Sequence, residues 1–485
     1  MQHRFSSEAA RALDTAGKRG ATYADAQFWE IARDNLMVRN SVVRAVDRSV
    51  SVGVAIRAFV DGSWGFAATD RLDRVRLDEA AGKAVALARA SARVPGRIRA
   101  VKPTSKFVDT FQTPFTIDPA TVSLSQRVDA LLAAEKALHV DPAIANGFAF
   151  MAFWDEKKEF YATTGSAIVQ RLLRSGAGAG AIAVKDGDAQ RRGGPGDFGL
   201  FQGAGYEVVE RARLVENAAE YGREAMLLLA APVLPTQRTA LILDGTVLNL
   251  QMHESIGHPL ELDRALGWEA NFSGVSWATP DRVGKLRYGS DKLTIYCDNT
   301  LPGGMATVGY DDEGVRPQRV ALIENGILRA FLSSRDTAAQ AGLPQTASVH
   351  AQDWAAVPMV RMSNIVLAPG EGTLDSIIAE TNDGVLMSGI KSWSIDDHRL
   401  NFQFGTQIAY EIKNGKRGKV FKNPTYTGIT PDFWGRLDRV AGASEMVVWG
   451  TPNCGKGEPE QIGATTHACS HARFGEVLVG VKADA

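Results

Sequence analysis

The stretch HESIGHPLELD, residues 253–263, carries His253 and His258 around Glu254 and reads HExxxH. The familiar zinc motif HExxH is one residue shorter, and its two histidines lie on one face of an α-helix. At a spacing of five residues, an ideal α-helix would separate the two imidazoles by roughly 140°, which is too far for them to share an ion. A metal site at this motif therefore requires a turn that is not α-helical.

The residues inside the motif allow such a turn. Gly257 permits unusual backbone dihedrals. Pro259 lacks an N–H, and in a continuing helix its ring would crowd the carbonyl of Ser255. A π-type turn or a helix end between Glu254 and His258 would bring the two imidazoles together.

Chance does not account well for the motif. The chain has eight histidines, and a random HExxxH is expected on the order of 0.01 times. The plain alternative is a helix that carries two hydrogen-bonded histidines and a surface glutamate. We interpret the motif as a metal site.

Two imidazoles leave a catalytic zinc one protein ligand short. Glu261 and Asp263 are close in sequence and could either bind the ion or accept hydrogen bonds from the imidazoles. Cys454 lies in GTPNCGKGEPEQ, whose glycines and prolines predict a tight turn that presents the thiol; next to zinc it would be a thiolate. His467 and His471 are spare candidates, for which we favour a surface or supporting role.

The whole chain has 485 residues, enough for two or three domains. Its 54 basic and 55 acidic side chains give a net charge of -1, which argues against a surface devoted to nucleic acid or anionic lipid. No secretory signal and no run of ~20 apolar residues is evident. Three cysteines do not suggest a disulfide framework, and we expect a cytoplasmic protein without membrane contact.

Hydrophobic periodicity predicts an α+β fold. We expect residues 1–231 to form an N-terminal α+β domain of antiparallel sheets and helices, with two similar halves at 1–100 and 120–231. Two prolines near residue 232 introduce residues 232–485, a strand-rich domain, barrel-like or built of layered antiparallel sheets, that contains the HExxxH helix. Locally we expect the following elements: a meander over 26–69, a linker over 95–120, a loop over 186–204, a helix over 206–229, and helices beginning near 246 and 373.

The HExxxH motif and four further motifs follow one another in a recognisable order. They are HExxxHxLExD (253–263), DDEG (311–314), LIENGIL (322–328), PMVRMSN (358–364) and NCGKG (453–457). Together they resemble the TldD/PmbA family of metallopeptidases, on its metal-bearing TldD side. The C-terminal half carries nearly all of this resemblance.

The resemblance implies a site and an activity. By position in the family motifs, His253, His258 and Cys454 would hold one Zn²⁺ per chain, and Glu254 would be the general base. It also implies hydrolysis of peptide bonds in unfolded peptides. The partner would be a second copy or a metal-free TldE-like relative.

Two segments depart from the family pattern, TASVHAQDWAAV (346–357, with His350) and GIKSWSIDDHRLNFQFG (389–405). They put the substrate in doubt rather than the metal. An alternative hypothesis is a non-catalytic peptide-binding or modulator subunit in which a fourth protein ligand, His467 or Glu261, closes a structural metal site. A third is a protein that modulates a DNA-processing enzyme by protein contact.

Overall fold

A computed structural model describes residues 3–94, 105–196 and 198–481. Its first part alternates helices with strands, and several helices begin at side-chain caps, as where Ser123 and Gln126 form a capping box. The elements are α1 (Ser6–Lys18), β1 (Tyr23–Arg39), β2 (Val42–Val60), β3 (Ser63–Thr69), α2 (Arg74–Ser91), β4 (Val108–Gln112), α3 (Leu124–Leu138), β5 (Ile144–Ala162), β6 (Ala167–Lys185), β7 (Asp188–Gly194), β8 (Leu200–Gln202), α4 (Glu207–Ala212) and α5 (Leu214–Ala230).

These strands form one sheet of eight. Its order is β3-β2-β1-β5-β6-β4, with β7 and β8 also paired to β6. The predicted meander is confirmed as β1, β2 and β3. A helix, then antiparallel strands, then a helical segment occur twice, and β1 and β5, the first strand of each set, pair antiparallel at the centre.

The sheet has a helical face and a face without helices. Alternate residues of β1 (Ala24, Ala26 and Phe28) pack with α1 and α2, whereas Leu36 and Val38 pack with α3, α4 and α5. Because successive side chains of a strand point to opposite faces, the other residues of β1 point away from the helices. That second face meets the C-terminal part of the chain.

The acidic side chains of the DDEG motif form ion pairs across this contact. Arg57 of β2 lies 2.8 Å from Asp25 and 3.4 Å from Glu313, and Lys158 of β5 lies 3.1 Å from Asp312. All of these side chains are buried. Removal of one partner from a buried ion pair leaves an uncompensated charge, so the DDEG motif holds the two parts of the chain together.

Three local predictions were wrong, wholly or in part. The loop expected over 186–204 contains β7 and β8, whose polar side chains find partners at the sheet edge, as Arg192 does 2.7 Å from Glu224. The helix expected over 206–229 is two helices, because Arg213 is left-handed with a φ of 47°. In the expected linker, β4 pairs parallel to β6; residues 95–104 lie outside the described residues.

From residue 232 onward strands dominate, and we propose this point as the boundary between two domains. The elements are β9 (Gln237–Leu243), α6 (Gly245–Met252), α7 (Leu262–Ala265), β10 (Ile295–Asp298), β11 (Arg319–Glu324), β12 (Ile327–Leu328), α8 (Arg335–Ala341), β13 (Val349–His350), β14 (Met359–Val360), β15 (Asn364–Leu367), α9 (Leu374–Ala379), β16 (Asp383–Ile395), β17 (Asn401–Lys413), β18 (Lys416–Lys422), β19 (Thr425–Ile429), α10 (Thr430–Gly435), β20 (Leu437–Val440), β21 (Val447–Lys456), β22 (Gln461–Cys469) and β23 (Ala472–Val479).

A closed barrel organises this part. Its order is β16-β9-β23-β19-β17, and a further pairing of β16 with β17 closes the ring. A six-stranded sheet, β12-β11-β10-β15-β22-β21, lies beside it and shares one apolar core with it. The α+β class and the barrel-like C-terminal part are confirmed. The helices expected near 246 and 373 are α6 and α9; α8 and α10, at seven and six residues, are too short to show a helical period.

Within the described residues, no helix combines the length and the apolar character that crossing a membrane requires.

Candidate metal centre

The HExxxH motif folds as a π turn, as its spacing predicts. Helix α6 ends at Met252, a π turn covers His253–Gly257, and a 3-10 turn follows. The N–H of His258 donates to the carbonyl of His253, five residues back. The wider turn brings the two imidazoles together, with ring centroids 4.8 Å apart.

The surrounding core supplies partners for the bent turn. Pro259 has no N–H to offer the carbonyl of Ser255, and the hydroxyl of Tyr288 donates to that carbonyl instead, at 2.6 Å. The hydroxyl of Ser255 accepts from Trp434 at 2.9 Å and donates to the carbonyl of Gln251 at 2.6 Å. These buried groups stabilise a turn that would otherwise lack a backbone partner.

The role expected for Gly257 was wrong. Its φ of -59° and ψ of -61° are ordinary right-handed values. A Cβ at this position would lie 2.2 Å from the sulfur of Met362. The glycine therefore provides space for Met362 rather than dihedral freedom.

Three candidate ligand atoms converge at the turn. Those of His253, His258 and Cys454 all lie within 4.8 Å of one another, and all three residues are buried. They are the one group of this kind within residues 3–94, 105–196 and 198–481. Cys454 does not lie in the expected tight turn: it is in β21, just after Pro452, where the pairing with β22 shifts between Thr451 and Cys454.

The electrostatics of these three residues fit a zinc ion. Burial lowers the pKa of His253 to about 4 and also lowers the pKa of His258, so both imidazoles are neutral at pH 7. Burial alone raises the pKa of the Cys454 thiol, but the nearby Arg361 guanidinium opposes this effect, and the pKa of Cys454 is lowered. Nδ1 of His253 is buried and has no hydrogen-bond partner among the described residues. Two imidazole nitrogens and a cysteine sulfur are donors that zinc prefers.

Glu261 lies behind His258 and outside the three-atom group. Its Oε2 accepts from Nδ1 of His258 at 2.9 Å, which directs Nε2 of the imidazole toward Cys454, 3.7 Å away. Burial raises the pKa of Glu261, but Lys456 and His258 outweigh it and hold that pKa well below its usual range. Glu261 thus lies against the far side of the His258 imidazole, where the supporting role left open by the sequence would require it.

Asp263 also lies outside the three-atom group. Its two oxygens accept from Nζ of Lys456 at 2.7 and 2.9 Å, and Lys456 is fully buried. Nζ of Lys456 is also 3.3 Å from Glu261. The NCGKG and HExxxHxLExD motifs are thus joined by a buried ion-pair network that the sequence analysis missed.

The carboxylate of Glu254 is held by an arginine that the sequence analysis also missed. Arg399 donates to Oε2 of Glu254 at 2.7 Å and to the carbonyl of Ser273 at 3.2 Å. It sits between β16 and β17 with a left-handed φ of 59°. It belongs to the segment 389–405 that departs from the family pattern, and this departure was the available signal.

The remaining histidines take different places. His467 is buried beside the site, with its ring centroid 4.8 Å from that of His253 and Nε2 3.1 Å from the sulfur of Met362. His471 is partly exposed and lies 3.4 Å from Glu445. Its Nδ1 accepts a hydrogen bond from the N–H of Gly245, the first residue of α6. Neither belongs to the three-atom group.

Comparisons with known proteins agree with this geometry. Residues 236–478 match the PmbA/TldA metallopeptidase C-terminal domain, residues 30–92 match domain 1, and residues 117–222 match the central domain. The class that these matches define is a three-part metallopeptidase. The chain belongs to the PmbA/TldD family of metallopeptidases.

Individual relatives cover nearly the whole chain. A metalloprotease of Methanocaldococcus jannaschii is 25% identical over 90% of this chain and 92% of its own length. A zinc metalloprotease TldD homolog of Saccharolobus solfataricus is 24% identical over 86% and 88%. The crystal structure of TldE from Thermococcus kodakarensis has a TM-score of 0.75 at 16% identity, over 97% of this chain and 99% of that one, and shares the fold.

Proposed function

We propose that this chain is a TldD-type zinc peptidase that hydrolyses peptide bonds in unfolded peptides. His253, His258 and Cys454 hold one Zn²⁺ per chain, and Glu254 is the general base. The supporting observation is the convergence of the three ligand atoms within 4.8 Å on the turn that also carries Glu254. A bound Zn²⁺ supplies a Lewis acid and lowers the pKa of a water molecule to about 7.

The protein's own groups handle the proton and hold the geometry. Glu254 accepts a proton from the attacking water and later passes it to the leaving amine. Arg399, 2.7 Å from Glu254, limits the positions that this carboxylate can adopt. Glu261 fixes the tautomer and the direction of the His258 imidazole through the 2.9 Å contact at Nδ1.

An extended peptide is the substrate we favour. β21, which carries Cys454, ends the six-stranded sheet, and a peptide added to such an edge is held by main-chain hydrogen bonds with little sequence preference. We propose a second copy, or a metal-free relative of the TldE kind, as the partner. A cytoplasmic location suits the site, because a reducing compartment keeps a thiol ligand available.

The test is Glu254→Gln with Glu220→Gln as control. Glu220 is an exposed glutamate, 2.6 Å from Arg223 on α5. Glu254→Gln should keep the zinc content of the wild type and lose about 10²- to 10⁴-fold of its peptidase activity on unfolded peptides. Glu220→Gln should change neither quantity. Full activity in Glu254→Gln, with unchanged metal, would remove Glu254 from the mechanism.

One observation favours a second candidate, a non-catalytic peptide-binding subunit with a structural metal. His467 is buried against His253, and its Nδ1 lacks a hydrogen-bond partner among the described residues. A fourth protein ligand would close the position that a catalytic zinc keeps open. Loss of zinc from His467→Phe, together with no hydrolysis by the wild type, would favour this candidate; retained zinc with active wild type would favour the peptidase.

A further inference from the structure

A cavity of about 490 Å³ lies between the eight-stranded and six-stranded sheets. This intersheet cavity is lined on one side by Arg33, Trp154 and Arg174, and on the other by His350, Arg361 and Asn453. Its volume lies within the range of about 300–1,000 Å³ typical of ligand sites. The lining mixes apolar and polar residues, and its cationic side chains are Arg33, Lys158, Arg174 and Arg361.

The wall on the eight-stranded sheet is an ordered row. Arg33 of β1 stands directly opposite Trp154 of β5, and Trp154 stands opposite Arg174 of β6. The row lies on the face of the sheet that carries no helices. Trp154 also stacks on Phe201, with ring centroids 6.0 Å apart. A cation beside an indole can hold a carboxylate while the ring packs against the chain that carries it.

Positive charge exceeds negative charge in the lining. Arg174 is paired with Glu156 at 2.6 Å and Lys158 with Asp312 at 3.1 Å. Among the described residues, neither Arg33 nor Arg361 has a carboxylate within ion-pair distance. A cavity with excess positive charge favours a negatively charged ligand.

Arg361 connects the intersheet cavity to the metal centre. It is 2% exposed, donates to the carbonyls of Cys454 and Gln461, and keeps a buried Nε without a hydrogen-bond partner. Asn453, the residue before Cys454, lines the same cavity. A group bound in the cavity is therefore next to the strand that presents the thiol ligand.

We propose that the intersheet cavity is a carboxylate subsite for the peptide substrate. It takes an acidic side chain or a C-terminal carboxylate of the bound peptide, between Arg33 and Arg361. The proposal rests on the proposed peptidase function, because the chemical class of the occupant is a peptide. It adds a preference for anionic peptides that main-chain pairing alone does not give.

The test measures binding without turnover, on the zinc-loaded Glu254→Gln protein. Three decapeptides of Gly, Ser and Ala carry an uncharged fluorescent dye: one neutral with a C-terminal amide, one with an internal glutamate and the amide, and one neutral with a free C-terminal carboxylate. Anisotropy should show about 10- to 100-fold tighter binding of one or both anionic peptides. Preference for the glutamate peptide identifies a side-chain subsite, and preference for the free carboxylate identifies a terminal subsite.

Two variants test whether the intersheet cavity causes the preference for anionic peptides. Arg33→Gln should remove the preference, so that the anionic peptides bind no more tightly than the neutral amide. Arg223→Gln, an arginine 61% exposed on the helical face, should keep the preference. Arg33 is only partly buried, and circular dichroism checks that the variant folds.

Three results would overturn the proposal. They are equal binding of all three peptides, an equal loss of all three in Arg33→Gln, and Arg33-dependent binding of inorganic phosphate without a peptide preference. Failure of the proposed function looks different: the wild type would not hydrolyse the peptides, whereas the binding preference would persist. Hydrolysis by the wild type without any preference would refute the carboxylate subsite alone.

Discussion

Replacement of Lys456 by methionine tests the buried network behind the metal centre. Nζ of Lys456 lies 2.7 Å from Asp263 and 3.3 Å from Glu261, and Lys456 is fully buried. Methionine has a similar length and no charge, so the variant leaves two buried carboxylates without their shared cation. Removal of one partner from a buried ion pair costs about 3–5 kcal/mol. For a unit of about 250 residues, this lowers the melting temperature by roughly 6–20 °C.

The control is Lys413→Met. Lys413 pairs with Asp383 at 3.0 Å, with both side chains more than half exposed, and such a pair contributes about 0–1 kcal/mol. Thermal unfolding of the metal-free proteins, followed by circular dichroism, compares the two variants directly. Asp263→Asn added to Lys456→Met should recover part of the loss, because it removes one unpaired charge. Equal melting temperatures for the two lysine variants would refute the reasoning.

Three other predictions concern the turn and its ligands. Cys454→Ala should lose the bound zinc by metal analysis, whereas Cys469→Ala, a buried cysteine outside the site, should keep it; unchanged zinc in Cys454→Ala would put the third ligand elsewhere. Gly257→Ala should lower the free energy of unfolding by about 1–3 kcal/mol, because its Cβ would meet Met362; chemical denaturation should show partial recovery when Met362 is also changed to Ala. The pKa of His253 falls from 6.5 to about 4 on folding, so the unfolded chain binds the proton more readily and the metal-free protein should lose stability as the pH falls from 6.5 toward 4. At pH 5 this contribution is on the order of 2 kcal/mol, and denaturation curves of His253→Gln with the same pH dependence as the wild type would contradict it.

Local chemistry made the centre of the site predictable. The spacing of His253 and His258, with Pro259 after them, requires a turn wider than an α-helix, and the structure has a π turn there. The meander of β1 to β3 could also be read from alternation and short turns. In both cases the deciding interactions lie within a few residues of the sequence.

The rest depends on contacts between distant residues. The departure of residues 389–405 from the family pattern singled out a segment, but nothing in it marks Arg399 as the partner of Glu254, 145 positions earlier. Lys456 reads as a loop lysine among glycines, and only the fold buries it with Asp263, 193 positions away. β7 looks like a loop because its polar side chains find partners only after it pairs with β6. Propensity and periodicity do not contain this information.

Closure of the barrel has a consequence for synthesis of the protein. β9 pairs with β23, and Leu243 lies opposite Ala472. The first strand of the barrel therefore cannot complete its pairing until the last strand has been synthesised. At about 5–20 residues per second, a ribosome needs roughly 10–50 s to make the chain between them. Throughout that interval β9 has an unpaired edge, and for most of it, until residue 454 is made, the two histidines also lack their thiol partner. The nascent chain is thus open to aggregation during translation, and chaperones that cover strand edges would act in this interval.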